Sequence, residues 1–273
     1  MRTLRLAVLL AIVPIHLFAW GSKGHAVVAE IAERELSPTA AAQIRDLNFA
    51  TPLRDIASLP DDWRGEEVSG VRPGDTGPLH YSNIPNESLT FDRARDCAND
   101  QCIVAAIERF ESVLHDKSAP KERRREALIY LVHFVGDIHQ PMHAAGGQVP
   151  DPEGGLRPDR GGNLVPVRYL GVESNLHRMW DSQLIEWGPE TVDDYVDYLL
   201  KYEMRGRPVE ELRRGTVVDW INESHYAAVN NAYDIADGRI GSDYAKRNIG
   251  VVYERLLRAG LRLGRMLEEA LAP

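Results

Sequence analysis

The string HFVGDIHQPMH, His133 to His143, constrains this chain more than any other segment, because it joins a helix end, a proline break and a metal-ligand spacing. It closes an apolar helical pattern that begins near Arg125. His133 and Asp137 stand four residues apart, so they project from one helix face and can share a metal ion. Pro141 ends the helix. That break frees His143 from the helical register and lets it serve a different ion from the one His133 binds. His139 lies two residues beyond Asp137 and points elsewhere, which suits a structural role.

NLHRMWD, Asn175 to Asp181, repeats the four-residue spacing through His177 and Asp181. One such His and Asp pair is equally well explained as a surface ion pair. Two of them on apolar helices are harder to explain that way. Three further candidates lie upstream: His25 in WGSKGH, Asp61 in ASLPDDWR and His80 in LHYSN. Alone, Asp61 reads as a cap or turn residue, His25 as the outer side of a first helix, and His80 as a half-buried ring with one hydrogen bond. Their meaning comes from the ensemble.

Apolar residues recur at helical spacing through most of the chain, which predicts an all-α fold. The expected helices run over 23–35, 38–47, 98–115, 120–139, 175–186, 192–201, 208–233 and 244–271. Ser37 followed by Pro38 supplies a cap with proline in the first turn. Only LVPVRYL, 164–170, alternates like a strand, and it predicts part of a small β-hairpin. The glycine- and proline-rich stretch 144–163 cannot be helical, and loops of that length are often functional. The arginines at 255, 258, 262 and 265 repeat at helical spacing and read as a solvated helix face, as does the run from Lys121 to Glu126.

Residues 1–19 carry Arg2 and Arg5, then an apolar run from Leu6 to Phe18, then Ala19, the pattern of an export leader cleaved after Ala19. The run is too short to cross a bilayer, so no stable membrane insertion is expected. The product is then a periplasmic or secreted protein occupying Trp20 to Pro273, long enough for one domain with a real core. Losing the leader removes two of the 32 basic residues and none of the 41 acidic ones, which takes the net charge from −9 to −11. A nucleic-acid binder that relies on side chains alone would be basic. This one needs metal cations for that task. The only cysteines, Cys97 and Cys102, suit a local disulfide in an oxidising compartment, and their spacing is not that of a zinc site.

Taken in order, Trp20-Gly with His25 behind it, the DxxR spacing of Asp61 and Arg64, HYSN, HFVGDIHQPMH, GGN and NLHRMWD resemble the zinc-dependent single-strand nucleases of the S1/P1 family, within the phospholipase C and nuclease superfamily. The resemblance spans most of the chain. It implies three zinc ions: one on Asp61, His80, His133 and Asp137; a second on His143, His177 and Asp181; a third on His25, bridging Asp137, and the free amine and carbonyl of Trp20. His115, His139 and His225 are left without a metal role. Two members of the family pattern are missing: Leu59 stands where a tryptophan is common, and a second disulfide is absent.

The chemistry implied is hydrolysis of phosphodiesters in single-stranded DNA and RNA by zinc-activated water, giving 5′-phosphate products, with 3′-nucleotidase action on terminal phosphates. Asp61, Arg64 and Asp137 are the candidate catalytic residues, Arg64 because a guanidinium matches phosphate oxygens; a surface ion pair is its plainer reading. Tyr81 and Asn83 are candidates for stacking and hydrogen-bonding a base, although Tyr81 can equally pack against the first helix. No protein partner is called for. Two rivals share these residues: a zinc phospholipase C, and a non-catalytic exported metal-binding module. The first is disfavoured by the early His25 and the closing Asp181, the second because structural zinc sites are usually closed and cysteine-rich.

Overall fold

The computed structural model describes residues 20–64, 76–235 and 238–271, so the expected leader lies outside the described residues. The longest helices there are α1 (Ser22–Arg34), α2 (Pro38–Leu47), α3 (Ile103–His115), α4 (Lys121–His139), α5 (Val217–Ala227) and α6 (Ser242–Leu271). Helix α4 is the centre. Every residue from Glu126 to His139 is buried, so its sequence shows no polar stripe and its histidines and aspartate sit inside the protein. Helix α3 packs along α4, and α1 and α6 pack on each other and on α4. The α1 side chains Val27, Val28 and Ile31 and the α6 side chains Leu256, Leu263 and Leu267 are fully enclosed. Each is worth about 1.5–3 kcal/mol of burial. These contacts hold α4 rigid beneath the site.

Helix α2 starts as expected, with the Ser37 hydroxyl accepting from Ala40 N and Pro38 in the first turn. Four other expected helices differ. Helix α3 begins at Ile103 instead of Ala98, because Asn99 and Asp100 take left-handed φ values of 56° and 55° inside the loop closed by the Cys97–Cys102 disulfide. The span 175–186 resolves into a helical turn at Leu176–Arg178, a π-helical turn at Met179–Gln183 and a 3-10 turn at Ile185–Trp187. The span 192–201 is helical over Val192–Tyr198 and continues as a π-helical turn to Glu203. The span 208–233 breaks after Arg213, and α5 restarts with a reciprocal capping box between Thr216 and Asp219.

The small sheets are β1 (Gln148–Pro150) against β2 (Leu156–Pro158), and β3 (Pro166–Tyr169) against β4 (Val172–Asn175), both antiparallel. A two-residue β5 (Arg239–Ile240) lies parallel to β3. The alternation over 164–170 is therefore β3, with Val167 and Tyr169 facing inward. The loop 144–163 is not helical past Ala144, and it carries β1 and β2.

The arginine stripe on α6 is a correction. Arg255 and Arg262 are 4% and 1% exposed, and both pair with Glu223 of α5. Arg255 also donates to the carbonyl of His139, and Ser224 to that of Ile138, so the network caps the end of α4. Hydrophobic spacing does not separate a solvated arginine from a buried one that has found a carboxylate. Glu126, at the end of the other charge run, is likewise buried. Among the described residues no helix is long and apolar enough to cross a membrane.

Candidate metal centre

Helix α4 brings His133 and Asp137 to one face, with His133 Nε2 3.1 Å from Asp137 Oδ2. His80, at the end of the 3-10 turn Gly77–His80, reaches the same carboxylate oxygen from Nδ1 at 2.9 Å. His25 arrives from α1, stacked on the His133 ring at 4.1 Å with Nε2 3.2 Å from Asp137 Oδ1. Asp61, in the helical turn Leu59–Asp62, places Oδ1 3.6 Å from His133 Nε2 and 3.7 Å from His80 Nδ1. His177 and Asp181 approach each other to 3.3 Å, and His143 joins them, freed from the α4 register by Pro141. His143, His177 and Asp181 form one group of converging donors, and two overlapping groups contain His25, Asp61, His80, His133 and Asp137. The two halves meet where His143 Nδ1 lies 3.9 Å from Asp137 Oδ2. Trp20 is fully buried at the head of α1, and Gly21 N donates to Asp181 O at 2.7 Å, which ties the expected mature start to the π-helical turn.

Backbone carbonyls set the rings. The Nδ1–H groups of His133, His143 and His177 point at the carbonyls of Ala57, His80 and Gly161, at 2.8, 2.6 and 2.7 Å. In the neutral form each ring then offers Nε2 to the interior, the usual device that orients a metal-binding imidazole. His143 Nε2, His80 Nε2, His25 Nδ1 and Asp61 Oδ2 are buried without a hydrogen-bond partner, while Asp61 Oδ1 has Arg64 Nη2 beside it and Asp137 Oδ1 has His25 Nε2. Such a concentration of unsatisfied lone pairs is costly unless a cation completes it. The residues therefore fit a cluster of metal ions, and imidazole and carboxylate are donors that zinc accepts in catalytic sites.

At His143, His177, His80 and His25 the electrostatics agree with that fit. Burial drives His143 down to about 3 and His177 to about 4, and it holds His80 well below its ordinary value and His25 below its own, so these rings stay neutral. Burial also pushes Asp181 well above the carboxylate range despite its hydrogen bond from Gln140. For Asp137 burial acts upward, but the neighbouring rings of His133 and His143 outweigh it and the carboxyl is held well below that range. His133 is raised: burial lowers it, and the charges of Asp137 and Asp61 prevail. Arg64 puts Nη2 2.6 Å from Asp61 Oδ1 with its side chain 25% exposed.

A cavity of about 310 Å³ opens beside this cluster. His143, His177 and Arg64 line it together with Tyr81, Asn83, Met142, Arg160, Gly161 and Asn163. Tyr81 is 38% exposed where it lines the cavity.

The chain is also similar to known proteins. The family described as S1/P1 Nuclease matches the chain over residues 20–272. The chain belongs to the S1/P1 nuclease family. It is similar to Endonuclease 4 of Arabidopsis thaliana, 29% identical over 91% of this chain and 88% of that protein. It is also similar to Nuclease P1 of Penicillium citrinum, 32% identical over 60% of this chain and 58% of that protein, and to Nuclease S1 of Aspergillus oryzae, 27% identical over 62% and 55%. As a member of the S1/P1 nucleases it is a hydrolase of phosphoric ester bonds, which sets the non-catalytic module aside.

Several supporting residues of this S1/P1 nuclease escaped the sequence reading. Gln140 donates to Asp181 and accepts from Met142 N, locking the turn between the two halves of the cluster. Its place between His139 and Pro141 was the available signal. Gly136 lies against the His25 ring, where a Cβ would meet Nδ1 at 2.7 Å. The glycine inside the apolar helix marked that close approach. His139 has the structural role expected of it: Nδ1 donates to Val135 O, and Nε2 accepts from Arg262.

Proposed function

We propose that this S1/P1 nuclease is an exported, zinc-dependent endonuclease that cuts single-stranded DNA and RNA to 5′-phosphate products and removes 3′-terminal phosphates from nucleotides. On this reading residues 1–19 are a leader, and the working protein is Trp20 to Pro273, in the periplasm or outside the cell. The observation that carries it is the convergence of His25, Asp61, His80, His133, Asp137, His143, His177 and Asp181, with buried lone pairs lacking partners, beside a cavity of about 310 Å³. That volume suits a single nucleotide.

Asp61, His80, His133 and Asp137 are assigned one zinc; His143, His177 and Asp181 a second; His25, Asp137 and the amine and carbonyl of Trp20 a third. Bound there, zinc supplies Lewis acidity, making water nucleophilic near neutral pH and accepting charge on the departing 3′ oxygen. The protein's own groups do the rest. Asp137 joins the two halves of the cluster, and Asp61 holds Arg64 at the cavity, where its guanidinium can meet non-bridging phosphate oxygens. The exposed Tyr81 ring offers a stacking face for the base on the 5′ side of the cut, and Asn83 offers an amide to its edge. A stacked duplex cannot deliver a base into that cavity, hence the preference for single strands. The acidic net charge leaves phosphate neutralisation to the metal ions and Arg64.

Incubating the zinc-loaded protein with denatured DNA, the same DNA as duplex, and phosphatidylcholine micelles tests this reading. Cleavage of the denatured strand, lost on chelation and restored by zinc, is expected. Turnover of the micelles without DNA cleavage, or cleavage indifferent to chelation, would overturn it.

A further inference from the structure

Arg160 stands apart from the arginines that meet carboxylates, such as Arg34, Arg54, Arg93, Arg207 and Arg213. It is exposed, lines the cavity beside the metal cluster, and has no ion pair or side-chain hydrogen bond among the described residues. Its backbone is left-handed, φ 57°, a conformation that asparagine or glycine adopts more readily than arginine. The turn around it is held firmly. Asp159, fully buried, accepts from Gly147 N at 3.1 Å and from the Tyr233 hydroxyl at 2.6 Å. Gly161 O receives His177 Nδ1–H, and Asn163 donates its side-chain amide to Arg160 O at 2.9 Å. A fixed turn thus carries an unpaired guanidinium to the lining of the cavity, with the next residue, Gly161, bound to His177. An outlier of that kind at a site argues for a functional constraint.

We propose that Arg160 is a second phosphate-binding residue, which receives the 5′-phosphate of the nucleotide whose base occupies the cavity. This deepens the nuclease reading and rests on it. With the base at Tyr81 and the 3′-phosphate among His143, His177 and Arg64, the remaining phosphate of that nucleotide lies on the far side of its sugar. Of the two arginines that line the cavity, Arg64 meets Asp61 and Arg160 has no partner, and its planar fork can bind two phosphate oxygens. It makes the enzyme favour chain interiors and 5′-phosphorylated ends over ends that carry a bare 5′-hydroxyl.

The test compares a dinucleotide with and without a 5′-phosphate as substrates for the zinc-loaded wild type, Arg160→Asn and Arg160→Lys. Asparagine tolerates the left-handed backbone, so that variant removes the cation without straining the turn. Wild type is expected to show a kcat/KM about tenfold higher for the phosphorylated dinucleotide, as one charge-assisted contact predicts. The ratio should fall to about one in Arg160→Asn and to an intermediate value in Arg160→Lys. A wild-type ratio near one, or a ratio that survives Arg160→Asn, overturns the proposal. A second arm measures calorimetric binding of adenosine 5′-monophosphate against adenosine, neither of which carries a 3′-phosphate to be removed. If wild type cleaves neither dinucleotide, the nuclease reading fails, while this arm still decides Arg160: a preference for the 5′-monophosphate that vanishes in Arg160→Asn supports the assignment, and equal affinities sink it.

Discussion

Replacing Glu223 by glutamine should destabilise the protein by removing the one carboxylate that meets two buried guanidiniums. Glu223 accepts from Arg262 Nη1 and Nη2 at 2.7 and 2.8 Å and from Arg255 Nη1 at 2.6 Å, and those charges hold its carboxyl down to about 2. Breaking a buried pair from one side costs about 3–5 kcal/mol, since it leaves charge without compensation. The Glu223 side chain is 38% exposed, so solvent screens part of this, and about 2–3 kcal/mol is the expected loss. For a chain of this size that corresponds to about 5–10 °C in Tm, read by circular dichroism at pH 7. The sign with pH follows from the depressed value. The stabilisation is complete above the unfolded value near 4.5 and is lost as pH falls toward 2, so the gap between wild type and variant should narrow at pH 3. Adding Arg262→Met to the variant should recover part of the loss, because the stranded cation is gone. A Tm within about 2 °C of wild type at pH 7 would refute the argument and return the α6 stripe to solvent.

Three further outcomes are expected. Gly161 has φ 61°, and a Cβ there would sit 2.6 Å from Met142 O; Gly161→Ala should displace the carbonyl that orients His177 and weaken one zinc site by about 10- to 100-fold in a chelator competition. Gly136→Ala would press a methyl into the His25 ring, and native mass spectrometry should then count one zinc fewer; an unchanged count would show that the ring has room to move. The chelated protein should lose stability as pH falls from about 6.5, because unfolded His143 and His177 take protons that the folded rings refuse until about 3 and 4. Each histidine contributes about 1.4 kcal/mol per pH unit in that window, and a flat stability profile from pH 6.5 to 5 would contradict their enclosure.

The site was more legible in the sequence than the fold around it. Four-residue spacing placed His133 with Asp137 and His177 with Asp181, since helix geometry forces such pairs onto one face, and Pro141 foretold the departure of His143. Periodicity could not show that 175–186 winds as a π-helical turn at Asp181, because that choice is made by Gln140 and the Gly21 contact, both distant in sequence. The Thr216–Asp219 capping box was legible and went unread, so one long helix was expected where the chain breaks. The burial of Arg255 and Arg262 was not legible, for the carboxylate that admits them sits on another helix. The carbonyls that fix the rings carry no signature of residue type at all.

The proposed activity depends on a metal cluster completed by the amino terminus at Trp20. Metal counting together with single-strand cleavage, on protein beginning at Trp20 and on a version with one extra residue before it, tests this most directly. Three zinc ions and full activity are expected for the first, and loss of one zinc and most activity for the second. Equal zinc content and equal turnover in the two would contradict the role given to the terminal amine.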